Sequence, residues 1–287
     1  MKRVIIAFVL VCLVLAGCAA PAAPQEPEAP PEIYELEAPD ESETLPTAEP
    51  QPPEESPPYE PEEGFVTIQG IRLSVEVLDL DFWMKDLTNS DIEPLRYLTN
   101  LDGLNLFGNL ISDLSPLEHL INLEFLDLGA GRISDISPLH NLTNLSNLRL
   151  HQNQISDISI LGNLTNLKFL VLGRNQITDI DPLRNLTDLQ VLGLNDNQIS
   201  DISALEGMVN LTFLSLQENE ISDITPLKNL TNLEELYLFG NPITDFTPLM
   251  GLTNLHRLDL SRDQISDEQL EELRAALPNT HMLKPAE

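Results

Sequence analysis

Between residues 101 and 265 the chain repeats every 22 residues without an insertion. A period of that length restricts it to architectures in which one small unit stacks on its neighbours, because a single unit cannot bury its own apolar face. Leucine stands at 101, 123, 145, 167, 189, 211, 233 and 255, and again three and five residues later in every unit, from Leu104 and Leu106 to Leu258 and Leu260. Isoleucine recurs at 111, 133, 155, 177, 199, 221, 243 and 265.

The Leu-x-x-Leu-x-Leu segment supplies a short strand with its leucines turned inward, so stacked units build a parallel sheet with strands about 4.8 Å apart. Several units and specialised ends are needed, since each coil is covered only by its neighbours. This pattern at this period is the signature of leucine-rich repeats.

After each strand a column reads Asn109, Gly131, Asn153, Asn175, Asn197, Asn219, Asn241 and Asp263. An amide there can donate to and accept from the backbone of its own turn and of an adjacent coil. Gly131 cannot, which marks its unit as the local weak point. On the opposite side, Ser115-Pro116, Ser137-Pro138, Asp181-Pro182, Thr225-Pro226 and Thr247-Pro248 read as an N-cap acceptor before a proline at the first helical position, giving each coil one short helical turn. Two residues before each cap position stands an aspartate: 91, 113, 135, 157, 179, 201, 223, 245 and 267. Oxygen ligands suit calcium, but a calcium site needs several of them converging. A residue recurring once per coil before a turn reads more simply as a turn and cap acceptor, so neither a metal nor a cofactor is expected.

The ends differ from the array. Residues 65–80 alternate apolar and polar positions over Ile71, Leu73, Val75 and Val77, as strands covering the first coil would. Residues 75–100 read as a divergent first unit four residues longer than the rest. Residues 266–277 lose the Pro-Leu pattern and become a fuller amphipathic helix before Pro278, closing the array. The organisation expected is a signal peptide at 1–17, a stalk at 18–63, an N-terminal cap with divergent first repeat at 64–100, seven repeats at 101–254, and the last repeat with its cap at 255–287.

Residues 1–18 begin Met-Lys-Arg, continue with the apolar run 4–15 and end Ala16-Gly17-Cys18. These are the charged, apolar and small-residue regions of a secretory signal. The run is too short for a permanent membrane helix of about 20 residues. Residues 19–63 carry 13 prolines and 14 Asp and Glu with no Lys, Arg or His, a composition that builds no core and reads as an extended, disordered stalk. Net charge over the whole chain is −31. Such an acidic chain is a poor partner for nucleic acid, whose binding rests on neutralising phosphates with Lys and Arg.

Two resemblances extend this reading. Leu15-Ala16-Gly17-Cys18 resembles the bacterial lipobox, which implies cleavage before Cys18 and lipidation of its thiol; Cys12 would leave with the signal. The unit Asn-Leu-Thr-Asn-Leu-x-x-Leu-x-Leu-x-x-Asn-x-Ile-Ser-Asp-Ile-x-Pro-Leu, over residues 75–280, resembles the repeat of bacterial internalin-type leucine-rich-repeat proteins. It implies an α/β repeat solenoid, a right-handed array with a concave parallel β-sheet and short 3-10 turns on the convex side. It also implies a bacterial surface setting and protein binding on the concave face. The lipobox-like stretch, without a C-terminal sorting motif, departs from wall-anchored members, so host-cell adhesion is not carried over.

For catalysis, no nucleophile with a base, paired carboxylates or clustered histidines stand out. The chain is therefore expected not to be an enzyme. Strand residues between the inward leucines face the concave side, and these vary from unit to unit. Phe125, Phe169 and Phe213 share one column with Val191; Arg149, Val171 and Tyr237 share the next; His151 and Phe239 lie beyond it. Large apolar groups on such a face mark interaction sites, although rings packed on one another as a ladder would show the same column. Arg149, His151, Lys168 and Arg174 form a locally basic spot, and aromatic and arginine residues are favoured interface anchors. The expected partner is a protein, or a glycan, bound by a monomer that meets the membrane only through its N-terminal lipid. The alternative is an accessory scaffold of the envelope with no external ligand. Cys18→Ala is expected to leave the protein unprocessed or to release it from the membrane; unchanged detergent partitioning of the variant would remove the lipid anchor.

Overall fold

Each Leu-x-x-Leu-x-Leu segment folds as one three-residue strand centred on its second leucine. In the computed structural model, which describes residues 64–260 and 265–283, these strands are β4 (Gly103–Asn105), β5 (Phe125–Asp127), β6 (Asn147–Arg149), β7 (Phe169–Val171), β8 (Val191–Gly193), β9 (Phe213–Ser215), β10 (Glu235–Tyr237) and β11 (Arg257–Asp259). With β3 (Asp79–Asp81) and β12 (His281–Leu283) they form one ten-stranded sheet in chain order. All the pairings are parallel, as between Leu126 and Leu148 or Leu192 and Leu214. The central leucines are completely buried from Leu104 to Leu258. A slip of one residue would turn that column to solvent, so burial fixes the register. Cys18 and the segments 1–17 and 18–63 lie outside the described residues.

Two asparagine ladders tie the coils together. In the first, the Asn153 Oδ1 accepts the Ile133 N–H at 3.0 Å, while its Nδ2 donates to the Leu128 and Leu150 carbonyls at 2.9 and 3.0 Å. Asn175, Asn197, Asn219 and Asn241 repeat the acceptor bond to Ile155, Ile177, Ile199 and Ile221. At Gly131 no amide exists, so the Ile111 N–H lacks the bond that its counterparts make. The second ladder lies before each strand: Asn122, Asn144, Asn166, Asn210, Asn232 and Asn254 each donate to a carbonyl of the preceding coil at 2.8–3.0 Å. Asp188 interrupts it, because a carboxylate has no hydrogen to offer the Thr165 carbonyl.

The convex side carries 3-10 turns, among them Ser115–Leu117, Ser137–Leu139, Asp181–Leu183 and Thr247–Leu249. Their caps are not the expected Ser and Thr side chains. These residues sit at the first helical position, and the N-cap residues before them, Leu114, Ile136 and Phe246, make no side-chain cap bond. The ladder aspartate two residues earlier accepts their N–H instead, as Asp113 does from Ser115 and Asp245 from Thr247. The exposed carboxyls of Asp157, Asp223 and Asp245 are held below the ordinary aspartate value by these bonds to Ser159, Thr225 and Thr247. The turn and cap role therefore belongs to the aspartates.

A left-handed residue follows each strand by three positions, at Met84, Gly108, Ala130, Gln152, Arg174, Asp196, Glu218 and Gly240. Only two of these are glycine. Backbone bonds to the following coil hold the others there, such as the Gln152 N–H donating to the Gly173 carbonyl and the Arg174 N–H to the Asn195 carbonyl.

At the N-terminal end, β1 (Phe65–Ile68) and β2 (Ile71–Ser74) form an antiparallel hairpin. It lies along the first coil, with the Val75 N–H bonded to the Gly64 carbonyl at 3.0 Å and the Gln69 side chain on the Lys85 carbonyl at 3.2 Å. Val66 and Ile68 of β1 are buried, whereas Ile71 is exposed. Cross-strand partners share a face, but β1 packs over the core and β2 lies at the rim. The first coil is two residues longer than the others rather than four, since Leu80 pairs with Leu104. Those residues fall in a short helix, α1 (Asn89–Ile92), capped by Thr88 and Asp91. At the other end, α2 (Asp267–Ala276) is the expected helix, with Ser266 and Gln269 as a reciprocal capping pair and Leu270 and Leu273 buried. The strand after it, β12, has no leucine pattern to announce it. Asp188→Asn is expected to complete the second ladder and raise stability by up to about 1 kcal/mol, read as a higher denaturation midpoint at unchanged m-value.

Candidate functional site

Residues beside the buried leucines of each strand project from the concave face. The structure places Phe125, Phe169, Val191 and Phe213 there in one column, half-buried rather than exposed. Neighbours account for the shielding. The Arg149 guanidinium lies 5.2 Å from the Phe125 ring centre, and Phe213 meets Tyr237 at 5.4 Å between ring centres. No ring contact joins Phe125, Phe169 and Phe213 to each other, since Asn147 and Val191 intervene in the sheet. Val171 and Tyr237, in the second column, are buried.

The basic residues are largely balanced by nearby carboxylates. Arg149 donates to Asp127 at 3.3 Å, and Arg174 lies 3.8 Å from Asp196. Lys168 is exposed just before β7. Burial holds His151 below the ordinary histidine value; Asp127 opposes this, and Arg149 and Arg174 add to it. At neutral pH the imidazole is therefore uncharged, and the spot is a set of ion pairs around a neutral ring. His151 leans over Gly129, where an added Cβ would fall 2.5 Å from the ring, and it meets Phe107 at 5.5 Å between centres. Phe107 in turn stacks with Trp83 at 6.3 Å.

A second cluster occupies β9–β11, and sequence reasoning picked only Phe213 and Tyr237 from it. The Tyr237 hydroxyl donates to Glu235 at 2.6 Å while the Arg257 guanidinium lies 5.1 Å from its ring centre. Burial, with that bond to Glu235, pushes the phenol pKa well up. Asp259 is raised by burial against the pull of Arg257. Ser215 is buried and donates to Gln217 at 2.6 Å. The available signal was positional, because each of these residues stands in a non-leucine column of the strand face. Phe239 is half-buried in the column of His151.

Among the described residues, four buried side-chain polar atoms have no partner: Asn147 Oδ1, His151 Nδ1, Arg257 Nε and Asp259 Oδ1. All four belong to concave-face positions. Among the described residues the other buried side-chain polar atoms have partners, so the unmet side-chain hydrogen-bonding capacity is concentrated on one surface.

A parallel sheet of 22-residue coils with asparagine ladders and a varied strand face defines a leucine-rich-repeat protein. The family model for leucine-rich repeats matches overlapping windows from residues 99–141 to 231–275. Internalin C2 of Listeria monocytogenes is 37% identical, with 66% of this chain and 84% of that one covered and a TM-score of 0.63. An internalin F from the same organism is 35% identical over 75% and 70% of the two chains, with a TM-score of 0.62. A leucine-rich-repeat protein of Leptospira interrogans is 27% identical over 72% and 60%, at a TM-score of 0.63. No curated protein sequence matches. The chain belongs to the internalin-type leucine-rich-repeat family.

Two asparagines buried to the same degree separate the scaffold from this face. Asn147 is 8% and Asn175 9% exposed, yet Asn175 makes bonds to Ile155, Leu150 and Leu172 and the Asn147 oxygen makes none. Asn175→Ala is expected to cost at least about 3 kcal/mol by orphaning three backbone groups, and Asn147→Ala to be near neutral. Comparable losses in chemical denaturation would contradict the division.

Proposed function

We propose that this is an exported, lipid-anchored protein of the bacterial cell envelope whose repeat domain binds a protein partner through its concave face. The observation that carries the reading is the location of the four unpaired buried polar atoms, all on that face. A buried polar atom without a partner costs roughly 1–3 kcal/mol. A fold that pairs its other buried side-chain polar atoms gains from leaving such atoms only where another molecule supplies the bond. The half-buried aromatic side chains beside them offer desolvation, and the paired Arg149 and Arg174 offer bonds to a partner's carboxylates. Binding is the role, not catalysis, and the stalk of residues 18–63 holds the domain away from the lipid at Cys18.

The apolar strip of Phe169, Val191 and Phe213 is the predicted anchor, its outer rings roughly 10 Å apart at 4.8 Å per strand. Partners retained by the immobilised protein are expected to be lost by a Phe169→Ser, Phe213→Ser double variant, with affinity falling roughly thirtyfold or more. Its melting temperature should stay close to that of the parent, and added salt should weaken binding only in part. Full affinity in the folded double variant would move the site off the concave face.

A further inference from the structure

Asn147 stands in the floor of the concave face with a phenylalanine on each side. Parallel pairing puts it opposite Phe125 of β5 and Phe169 of β7, so the two rings attach to the sheet roughly 9.6 Å apart, two strand spacings. Contact between stacked carbon atoms takes about 3.5–4 Å. The interval therefore accepts one flat group between the rings and not two. Both rings are half-buried, and each can turn about its Cα–Cβ bond to admit such a group. The next interval, from Phe169 to Phe213, has the same walls and spacing but Val191 as its floor. An apolar floor needs nothing more than contact. At Asn147 the floor is an amide that is 8% exposed and whose Oδ1 has no hydrogen-bond partner. Arg149 lies close by, 5.2 Å from the Phe125 ring centre, but its guanidinium is paired with Asp127 at 3.3 Å.

The chemistry of the missing group follows from what surrounds that oxygen. The group must carry a hydrogen to donate, which excludes a carboxylate. A guanidinium would enter beside Arg149 and the exposed Lys168, two like charges, and would leave most of its five N–H groups unmet between the rings. A phenol brings oxygen lone pairs, a neutral imidazole a bare ring nitrogen and a primary amide a carbonyl, each needing a donor of its own. Indole has one N–H on the edge of a flat apolar ring system and no acceptor. Of these planar side chains it alone leaves nothing unpaired.

We infer that the interval between Phe125 and Phe169 receives a tryptophan side chain of the protein partner, its faces against the two rings and its N–H donated to Asn147 Oδ1. This rests on the concave-face reading above and adds to it one anchor of stated chemistry. The buried oxygen is paired only when the partner is bound.

The probe is N-acetyl-5-fluorotryptophanamide, followed by its own fluorine resonance on titration with the full-length protein, beside its 1-methyl derivative, which keeps the ring and lacks the N–H. The parent should bind the first saturably and the second roughly five- to tenfold more weakly. In Asn147→Ala, with the denaturation midpoint checked to be that of the parent, the two probes should bind alike, at the weaker affinity. Phe125→Ser should weaken both in the parent background. N-acetylargininamide at the same concentration should displace neither. Absence of saturable binding, equal affinity of the two probes for the parent, an N–H preference that survives in Asn147→Ala, or displacement by the arginine compound would each overturn the inference. A partner captured by the immobilised parent and held at full affinity by Asn147→Ala would overturn it too, while leaving the concave face as the binding surface; that reading fails separately, on the Phe169→Ser, Phe213→Ser variant.

Discussion

The side-chain amide of asparagine, set between one coil and the next, is the interaction on which the array depends. The turn after each strand leaves an N–H and two carbonyls facing into the stack, where water does not reach. One amide at Asn153, Asn175, Asn197, Asn219 or Asn241 accepts the first and donates to the others. A side chain able only to donate or only to accept would leave part of the set unmet. Because the bonds to Ile133 and Leu128 and their counterparts cross from coil to coil, the ladder fixes the vertical spacing while the buried leucines fix the rotational register. Gly131 shows the tolerance of the system. A single missing amide leaves the stack intact because neighbouring rungs hold the same coils.

With stability assigned to the interior leucines, the asparagine ladders and the aspartate-capped turns, the strand face has little structural duty. Its side chains can differ in every coil without moving the backbone. Hydrogen-bonding capacity at Asn147, His151, Arg257 and Asp259 is left open there, next to half-buried rings. The acidic charge of the chain bears on the same face. Asp127 and Asp196 neutralise Arg149 and Arg174 locally, so attraction for a partner comes from desolvation and hydrogen bonding more than from a long-range basic field.

The ends obey the same need for satisfaction by different means. At the N-terminus a hairpin covers the first coil with Val66 and Ile68. At the C-terminus Leu270 and Leu273 of α2 cover the last one, and β12 adds a strand beyond it. The exposed apolar residues Trp83 and Met84 lie in the first coil, and the turn position of Met84 carries polar residues in the middle coils, Gln152, Arg174, Asp196 and Glu218.

The repeat, its register, the parallel sheet, the aspartate and asparagine columns and the closing helix were legible in the sequence. Each follows from periodicity, and periodic burial is a property of residue type alone. Three features were not legible. Ser115 and Thr247 look like caps, but the backbone puts them one position too late, inside the turn that Asp113 and Asp245 cap. The left-handed turn position carries Ala130, Gln152 and Arg174, none of which signals that conformation; bonds from adjacent coils impose it. Arg149, His151 and Arg174 read as a basic spot, yet Asp127 and Asp196 stand within reach only once the coils are stacked. The sequence by itself therefore determined which residues are inside and how often the chain turns, because hydrophobic period needs no partner to be read. Tertiary structure decided which polar groups are satisfied and which remain open, because that depends on what the coils on either side bring within hydrogen-bonding distance.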